Sequence, residues 1–128
     1  MVAPRHPRDG GGPDDFFAQE IFDRHVTALT VGDLDALAAD YAEDALELTP
    51  DGEFRGRAAV KELFRGLMQA LPEVSLEAKL VAFADDALLL QWTADSTLNR
   101  VPDGVDTFMF ADGAIRLQTI SCTLEPKS

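Results

Sequence analysis

The sequence predicts an α+β domain in which three helices pack on one face of a curved, mostly antiparallel sheet. Two observations predict this class. Apolar residues recur mainly at helical spacing before Pro72, and they alternate with polar residues after it. Amphipathic helices followed by antiparallel strands must cover one face of the sheet. Because a twisted sheet that wraps a helix layer leaves a concave mouth at one end, a pocket is expected there.

Length and charge limit the classes of function. The 128 residues fit one domain, and 46% hydrophobic residues suffice for a substantial core. The formal net charge of −12 repels phosphate backbones and anionic headgroups. We therefore expect neither a nucleic acid nor a membrane as a partner.

The two ends of the chain are expected to lie outside the domain. Residues 1–13 are rich in proline and glycine and predict a disordered tail, residues 14–125 form the domain, and residues 126–128 form a short C-terminal tail. There is one cysteine, Cys122, no run of 18 apolar residues and no signal-peptide pattern. A cytoplasmic location is therefore expected.

The helices follow from caps and apolar stripes. Asp14 or Asp15 caps a first helix that begins at Phe16 and ends at Gly32. Its stripe consists of Phe17, Ala18, Ile21, Phe22, His25, Val26, Ala28 and Leu29. Asp33 caps a second helix, whose stripe is Leu34, Leu37, Ala38 and Tyr41. A third helix covers residues 57–71, and Pro72 ends it.

The strands follow from alternation and turn residues. Two short strands, at 45–49 and 53–55, flank a Pro50-Asp51-Gly52 turn. Four longer strands follow Pro72, with turns expected at Asp85-Asp86, Pro102-Asp103-Gly104 and Asp112-Gly113. The positions expected to face one side are Val74, Leu76, Ala78, Leu80 and Ala82 in one strand and Leu88, Leu90, Trp92 and Ala94 in the next.

Two segments resemble a known superfamily. HVTALTVGDLDALAADYAEDALELTPDGEFRGRAAVKELF and DTFMFADGAIRLQT are similar to the nuclear-transport-factor-2-like superfamily, in its SnoaL-like and ketosteroid-isomerase-like branch. The resemblance covers about residues 16–124. It implies a cone of three helices on a curved mixed, mostly antiparallel sheet, with a pocket between them. This superfold hosts isomerases, cyclases, dehydratases, epoxide hydrolases and non-catalytic modules.

The resemblance singles out two residues as catalytic candidates. His25 aligns with the oxyanion-hole tyrosine of ketosteroid isomerases, and a core histidine bonded to a neighbour is the alternative. Asp106 begins DTFMF, where those enzymes hold a neutral aspartic acid as an oxyanion donor. An aspartate that caps the turn expected at 102–104 is the alternative.

One position departs from the isomerase pattern. The resemblance places the isomerase base, an aspartate directly before a proline, at Thr49. Threonine cannot take a proton from carbon near pH 7, so standard steroid isomerisation is not expected. Glu47 lies two residues earlier on the same strand face and is a candidate for a displaced carboxylate. An exposed strand glutamate is the alternative.

The remaining candidates for the pocket wall are Tyr41, Trp92, Phe108 and Gln118. Ordinary core positions are the alternative for the two aromatic residues Trp92 and Phe108. No metal-ligand spacing, phosphate loop or dinucleotide motif occurs, so no metal or cofactor is implied.

Two classes of function remain open. One is an enzyme without a cofactor that performs cyclisation, isomerisation or dehydration on a small apolar carbonyl or polyketide-like compound, with epoxide hydrolysis as a variant. The other is a non-catalytic ligand-binding or dimerisation module. A homodimer is expected through an outer sheet face that carries Val81, Leu89 and Met109.

Overall fold

The computed structural model describes residues 13–127, with side chains from Ala18 onward. Within these residues the element order contains three helices and seven strands. The helices are α1 (Pro13–Val31), α2 (Leu34–Ala39) and α3 (Arg57–Ala70). The strands are β1 (Tyr41–Thr49), β2 (Gly52–Arg55), β3 (Ser75–Ala84), β4 (Ala87–Asp95), β5 (Asn99–Ala111), β6 (Ala114–Ser121) and β7 (Glu125–Pro126).

The strands form one sheet in the order β2-β1-β6-β5-β4-β3, and β7 pairs with β5. The β1–β6 pair is parallel and every other described pair is antiparallel, so the sheet is mixed. Three helices lie on this curved sheet as an α+β cone, which confirms the predicted fold class. No helix in the described part of the chain has the length and hydropathy needed to span a bilayer.

The helix ends show why the chain folds this way locally. The described part of α1 starts at Pro13, upstream of the helix start that the sequence predicts at Phe16. The expected caps Asp14 and Asp15 lie outside the described side chains. Asp33 caps α2 as predicted, and its Oδ1 accepts a hydrogen bond of 3.0 Å from the Ala36 N–H.

Tyr41 does not continue the stripe of the second helix. α2 ends at Ala39, and Tyr41 opens β1 in register with Ile115 of β6. The backbone oxygen of Asp40 accepts a 2.8 Å bond from the Ile115 N–H, which binds the chain to the sheet at that point. Strand pairing therefore ends the helical stripe before Tyr41.

The turn expected at Pro102-Asp103-Gly104 does not exist, because these residues lie inside β5. Val101 opposes Ala94 and Gly104 opposes Trp92, so β5 carries one residue more than β4 over this stretch, a β-bulge. A Cβ at Gly104 would lie 2.2 Å from the Trp92 ring. Glycine thus permits the indole to lie against the strand, and the chain reverses earlier, at residues 96–98.

Two further bulges change which side chains face inward. In β3, Ala78 pairs with Trp92 and Leu80 with Gln91, so Lys79 is the additional residue. Beyond it the alternation inverts, and Val81 is buried at 1% exposure while Leu80 is 37% exposed. The prediction that Val81 lies on the outer face is therefore wrong.

The second of these bulges lies in β6. Phe110 pairs with Ile115 and Met109 with Leu117, which turns Arg116 outward. The other predicted turns are confirmed, and Asp112 has the left-handed φ of 54° that a two-residue hairpin loop requires.

The core and the C-terminus complete the fold. The buried cluster joins α1 and α3 to the inner face of β3–β6, with Phe22, Phe64, Leu88 and Phe108 among its large side chains. The sequence predicts a tail at residues 1–13. Residues 1–12 lie outside the described part of the chain, and Pro13 belongs to α1. At the other end, β7 pairs with Asn99 and Arg100, so the chain beyond residue 125 also contacts the sheet.

Candidate functional site

A cavity of about 70 Å³ lies between α1, α3 and the inner face of the sheet. Its wall is mostly apolar, with Phe22, Leu67, Leu90 and Ile120 among the lining residues. Among the described lining residues there is no lysine or arginine. Such a wall favours an uncharged, mostly apolar ligand.

His25 and Asp106 both line this cavity. His25 extends from α1 and is 2% exposed. The rings of Tyr41, Phe64 and Phe108 surround it edge to face, with centroid distances of 5.7, 5.7 and 5.5 Å.

The aromatic surroundings determine the charge of His25. Burial lowers its pKa to about 4, so the imidazole is neutral at pH 7. Its Nδ1 is buried and has no hydrogen-bond partner among the described residues. A neutral imidazole can donate a hydrogen bond to a ligand oxygen, but it is a weak base.

Asp106 lies in the interior of β5 and does not cap a turn. Its Oδ1 accepts a 2.9 Å bond from Trp92 Nε1, and its Oδ2 accepts a 2.9 Å bond from Gln118 Nε2. Burial raises the pKa of Asp106 to about 7, although the two N–H donors favour the ionised form. Asp106 can therefore exchange a proton near neutral pH.

Tyr41 and Gln118 extend this network away from the cavity. The Tyr41 hydroxyl donates to Gln118 Oε1, and this bond fixes the amide so that its nitrogen faces Asp106. Both side chains are buried, and burial raises the pKa of Tyr41, which keeps its proton. Neither residue lines the cavity, so they support Asp106 from behind.

Glu47 is fully buried, which contradicts an exposed strand position. It does not line the cavity, and neither carboxyl oxygen has a hydrogen-bond partner among the described residues. Burial, together with the charge on Asp106, raises the pKa of Glu47 to about 9. The carboxyl is therefore protonated at neutral pH.

Thr49 lies away from the cavity at the end of β1. Its Oγ1 accepts a 3.1 Å bond from the Asp51 N–H and thereby supports the β1–β2 turn. The residue at the position of the isomerase base therefore contacts the hairpin and not the cavity. Trp92 and Phe108 do line the cavity, and Trp92 has the second task of holding Asp106.

The sequence did not predict the contacts of Trp92 and Gln118 with Asp106. Alternation placed Trp92 inward, but its indole N–H reaches the carboxyl of Asp106 because the ring lies against Gly104, where a Cβ would collide with it. Burial raises the pKa of Cys122 to about 11, so its thiol stays protonated. Within residues 13–127 no cluster of three or more His, Cys, Asp or Glu side chains is arranged to hold a metal.

Comparison with known proteins gives a family and several structures of the same fold. The sequence model of the SnoaL-like domain matches residues 22–118. A candidate ketosteroid isomerase from Kribbella flavida is similar with a TM-score of 0.71 at 17% identity, over 84% of this chain and 78% of that protein. An LEH-like epoxide hydrolase from M. tuberculosis is similar with a TM-score of 0.71 at 21% identity, over 87% and 86% of the two chains.

A de novo designed protein with a curved β-sheet is also similar, with a TM-score of 0.74 at 12% identity over 84% of this chain and 86% of that one. No curated protein matches the sequence. At these identities the structural similarity shows the fold alone, and a reaction must be argued from the site.

Proposed function

This chain belongs to the SnoaL-like domain family, and from that premise we propose that it is a cofactor-independent enzyme for acid–base chemistry. Its substrate is a small apolar carbonyl or polyketide-like compound bound in the cone pocket, and the reaction is a cyclisation, isomerisation or dehydration. One observation carries the proposal: Asp106, at 6% exposure, borders an apolar cavity and has a pKa raised to about 7. A group with its pKa near the working pH is suited to proton transfer.

In this proposal Asp106 removes a proton from the carbon next to the substrate carbonyl and returns it in a later step. The N–H groups of Trp92 and Gln118 orient the carboxylate during both steps. The departing electron pair moves onto the carbonyl oxygen, which becomes an enolate. Proton transfer by a positioned carboxylate contributes about 10²–10⁴-fold to a rate.

His25 stabilises the enolate oxygen by donating a hydrogen bond from its neutral imidazole. Its lowered pKa, about 4, supports the role of donor and argues against the role of base. Since the described wall carries no cationic side chain, the substrate is uncharged at the end that enters the cavity.

The test is a panel of neutral ketones, enones and polyketide-like aromatic compounds. Binding is detected by a thermal shift of the full chain, and each compound that binds is incubated with the protein and analysed for product by mass spectrometry. Cavity binding is checked with Leu90→Trp, which places a larger ring in the cavity, and with Leu98→Trp in the exposed turn before β5 as its matched control. Compounds that bind without any conversion would contradict the enzymatic proposal.

A non-catalytic binding or dimerisation module is the second candidate. Two observations favour it: Thr49 takes the place of a base, and the outer sheet face exposes apolar side chains. Leu80, Leu89 and Met109 are 37%, 38% and 39% exposed there, and we propose that this face pairs two copies of the chain. Light scattering that shows a monomer at micromolar concentration would contradict the homodimer. A cytoplasmic location is part of the same proposal.

A further inference from the structure

Glu47 is a buried acid whose carboxyl group has no hydrogen-bond partner among the described residues, unlike Asp40 and Asp106. It is 0% exposed in the middle of β1, and both carboxyl oxygens lack a hydrogen-bond partner among the described residues. Burying a polar group without a partner costs free energy, so an apolar residue would be the more stable choice. Such a group calls for an explanation in terms of function.

The register of the sheet places Glu47 beside the Asp106 network. Glu47 lies directly opposite Gln118 in the parallel β1–β6 pair, and the Gln118 amide donates to Asp106. Tyr41, which also bonds Gln118, faces the same cluster from β1. His25 borders it from α1 through its contact with the Tyr41 ring.

No cation neutralises these two acids. Neither Glu47 nor Asp106 forms an ion pair with any residue in the range 18–127. Two carboxylates separated by one amide side chain in a low-dielectric interior repel each other strongly when both are charged.

We propose that Glu47 and Asp106 form one two-acid unit that holds a single negative charge, in which Glu47 is a positioning residue that keeps its proton while Asp106 is ionised. Glu47 does not line the cavity and acts on a ligand only through Asp106. When Asp106 accepts a proton from a ligand, the two-acid unit becomes neutral. The meaning of this unit for turnover rests on the proposed function, but its existence does not.

The test is a ¹³C NMR titration of the side-chain carboxyl groups in the full chain, without ligand. The Glu47 carboxyl carbon is expected to titrate far above its ordinary value of 4.5, near the pKa of about 9. In Asp106→Asn the Glu47 midpoint is expected to fall by about one pH unit or more, because the repelling charge is gone. An unchanged Glu47 midpoint in this variant, or a midpoint near 4.5 in the wild type, would overturn the proposal.

Two further measurements keep the test decisive. Asp44→Asn removes an exposed carboxyl from the same strand and should leave both midpoints unchanged. Should Asp106→Asn fail to fold, the wild type and Glu47→Gln suffice: in the wild type the Asp106 carbon must report a second step at the Glu47 midpoint. That step must vanish in Glu47→Gln, and its absence from the wild type overturns the unit.

The outcomes separate this unit from the proposed function. Coupled titrations in a protein without turnover would contradict the enzyme and leave the unit intact. Turnover with independent titrations would contradict the unit alone.

Discussion

The junction of α2 and β1 and the centre of the sheet each contain a buried aspartate, and the two differ in their partners. At the junction, Asp40 accepts bonds of 3.1 and 2.9 Å from the Arg24 guanidinium. In the sheet, Asp106 accepts only from neutral N–H groups. Burial raises the pKa of both, but Arg24 opposes the rise at Asp40 while Asp106 reaches about 7. A guanidinium partner therefore makes a buried carboxylate part of a structural ion pair, whereas neutral donors leave the carboxylate able to exchange a proton.

The largest expected effect is on activity. Asp106→Asn should lower kcat by about 10²–10⁴-fold, because the amide cannot accept a proton from carbon. The measurement is single-turnover kinetics on a substrate found by the compound panel, with Asp44→Asn as the exposed control. Full activity of Asp106→Asn would assign the proton transfer to another group.

The pH profile distinguishes two roles for Asp106. As a base it must be ionised, so kcat/KM should fall about tenfold per pH unit below pH 7. His25, with its pKa near 4, should add no step between pH 5 and 9. A decline above pH 7 instead would indicate that protonated Asp106 donates a hydrogen bond, as the ketosteroid-isomerase resemblance implies.

A third effect concerns stability and isolates Glu47. Its folded pKa of about 9 lies above the ordinary 4.5, so its stabilising protonated form is lost as pH rises toward 9. Between pH 7 and 9 the free energy of unfolding should fall by about 1 kcal/mol per pH unit. Urea denaturation at several pH values should show that the free energy of unfolding of Glu47→Gln depends less on pH in this window and is larger than that of the wild type at pH 8. An equal dependence on pH would mean that Glu47 is already ionised in the folded chain.

The smallest effect is expected at the junction. Arg24→Gln leaves Asp40 buried without its cation and should lower the free energy of unfolding by about 1–2 kcal/mol. Arg55→Gln breaks an exposed pair with Glu53 and should change stability by less than about 0.5 kcal/mol. Activity per folded molecule should not change in either variant. A loss of activity per folded molecule in Arg24→Gln would show instead that the Arg24–Asp40 pair is coupled to the Asp106 site.

The sequence predicts the inward positions well where alternation is uninterrupted. Leu88, Leu90, Trp92 and Ala94 are all buried, as the period of two requires. The pattern predicts the wrong face beyond Lys79, and Pro102-Asp103-Gly104 carries turn residues within a strand. Bulges cause both errors, because local composition does not record how many residues the partner strand supplies.

The candidate site was predictable in part. A histidine on an apolar helix stripe and an aspartate in a strand of aromatic residues were visible from the periodicity, and both line one cavity. The charge states were not predictable, since they depend on burial and on donors that are distant in sequence. Gln118 reaches Asp106 from 12 residues away, and Tyr41 reaches Gln118 from 77.

The extra residue at Lys79 has a consequence for how this pocket can diverge. Removing the codon for Lys79 would leave a regular strand in which Ala78 still pairs with Trp92 and Leu80 with Gln91, so neither face of β3 would change. The bulge thus absorbs a one-residue insertion that would otherwise exchange Leu80 and Val81 between the outer surface and the interior. Related sequences can therefore differ in length by one residue at this point without any change in the wall of the pocket.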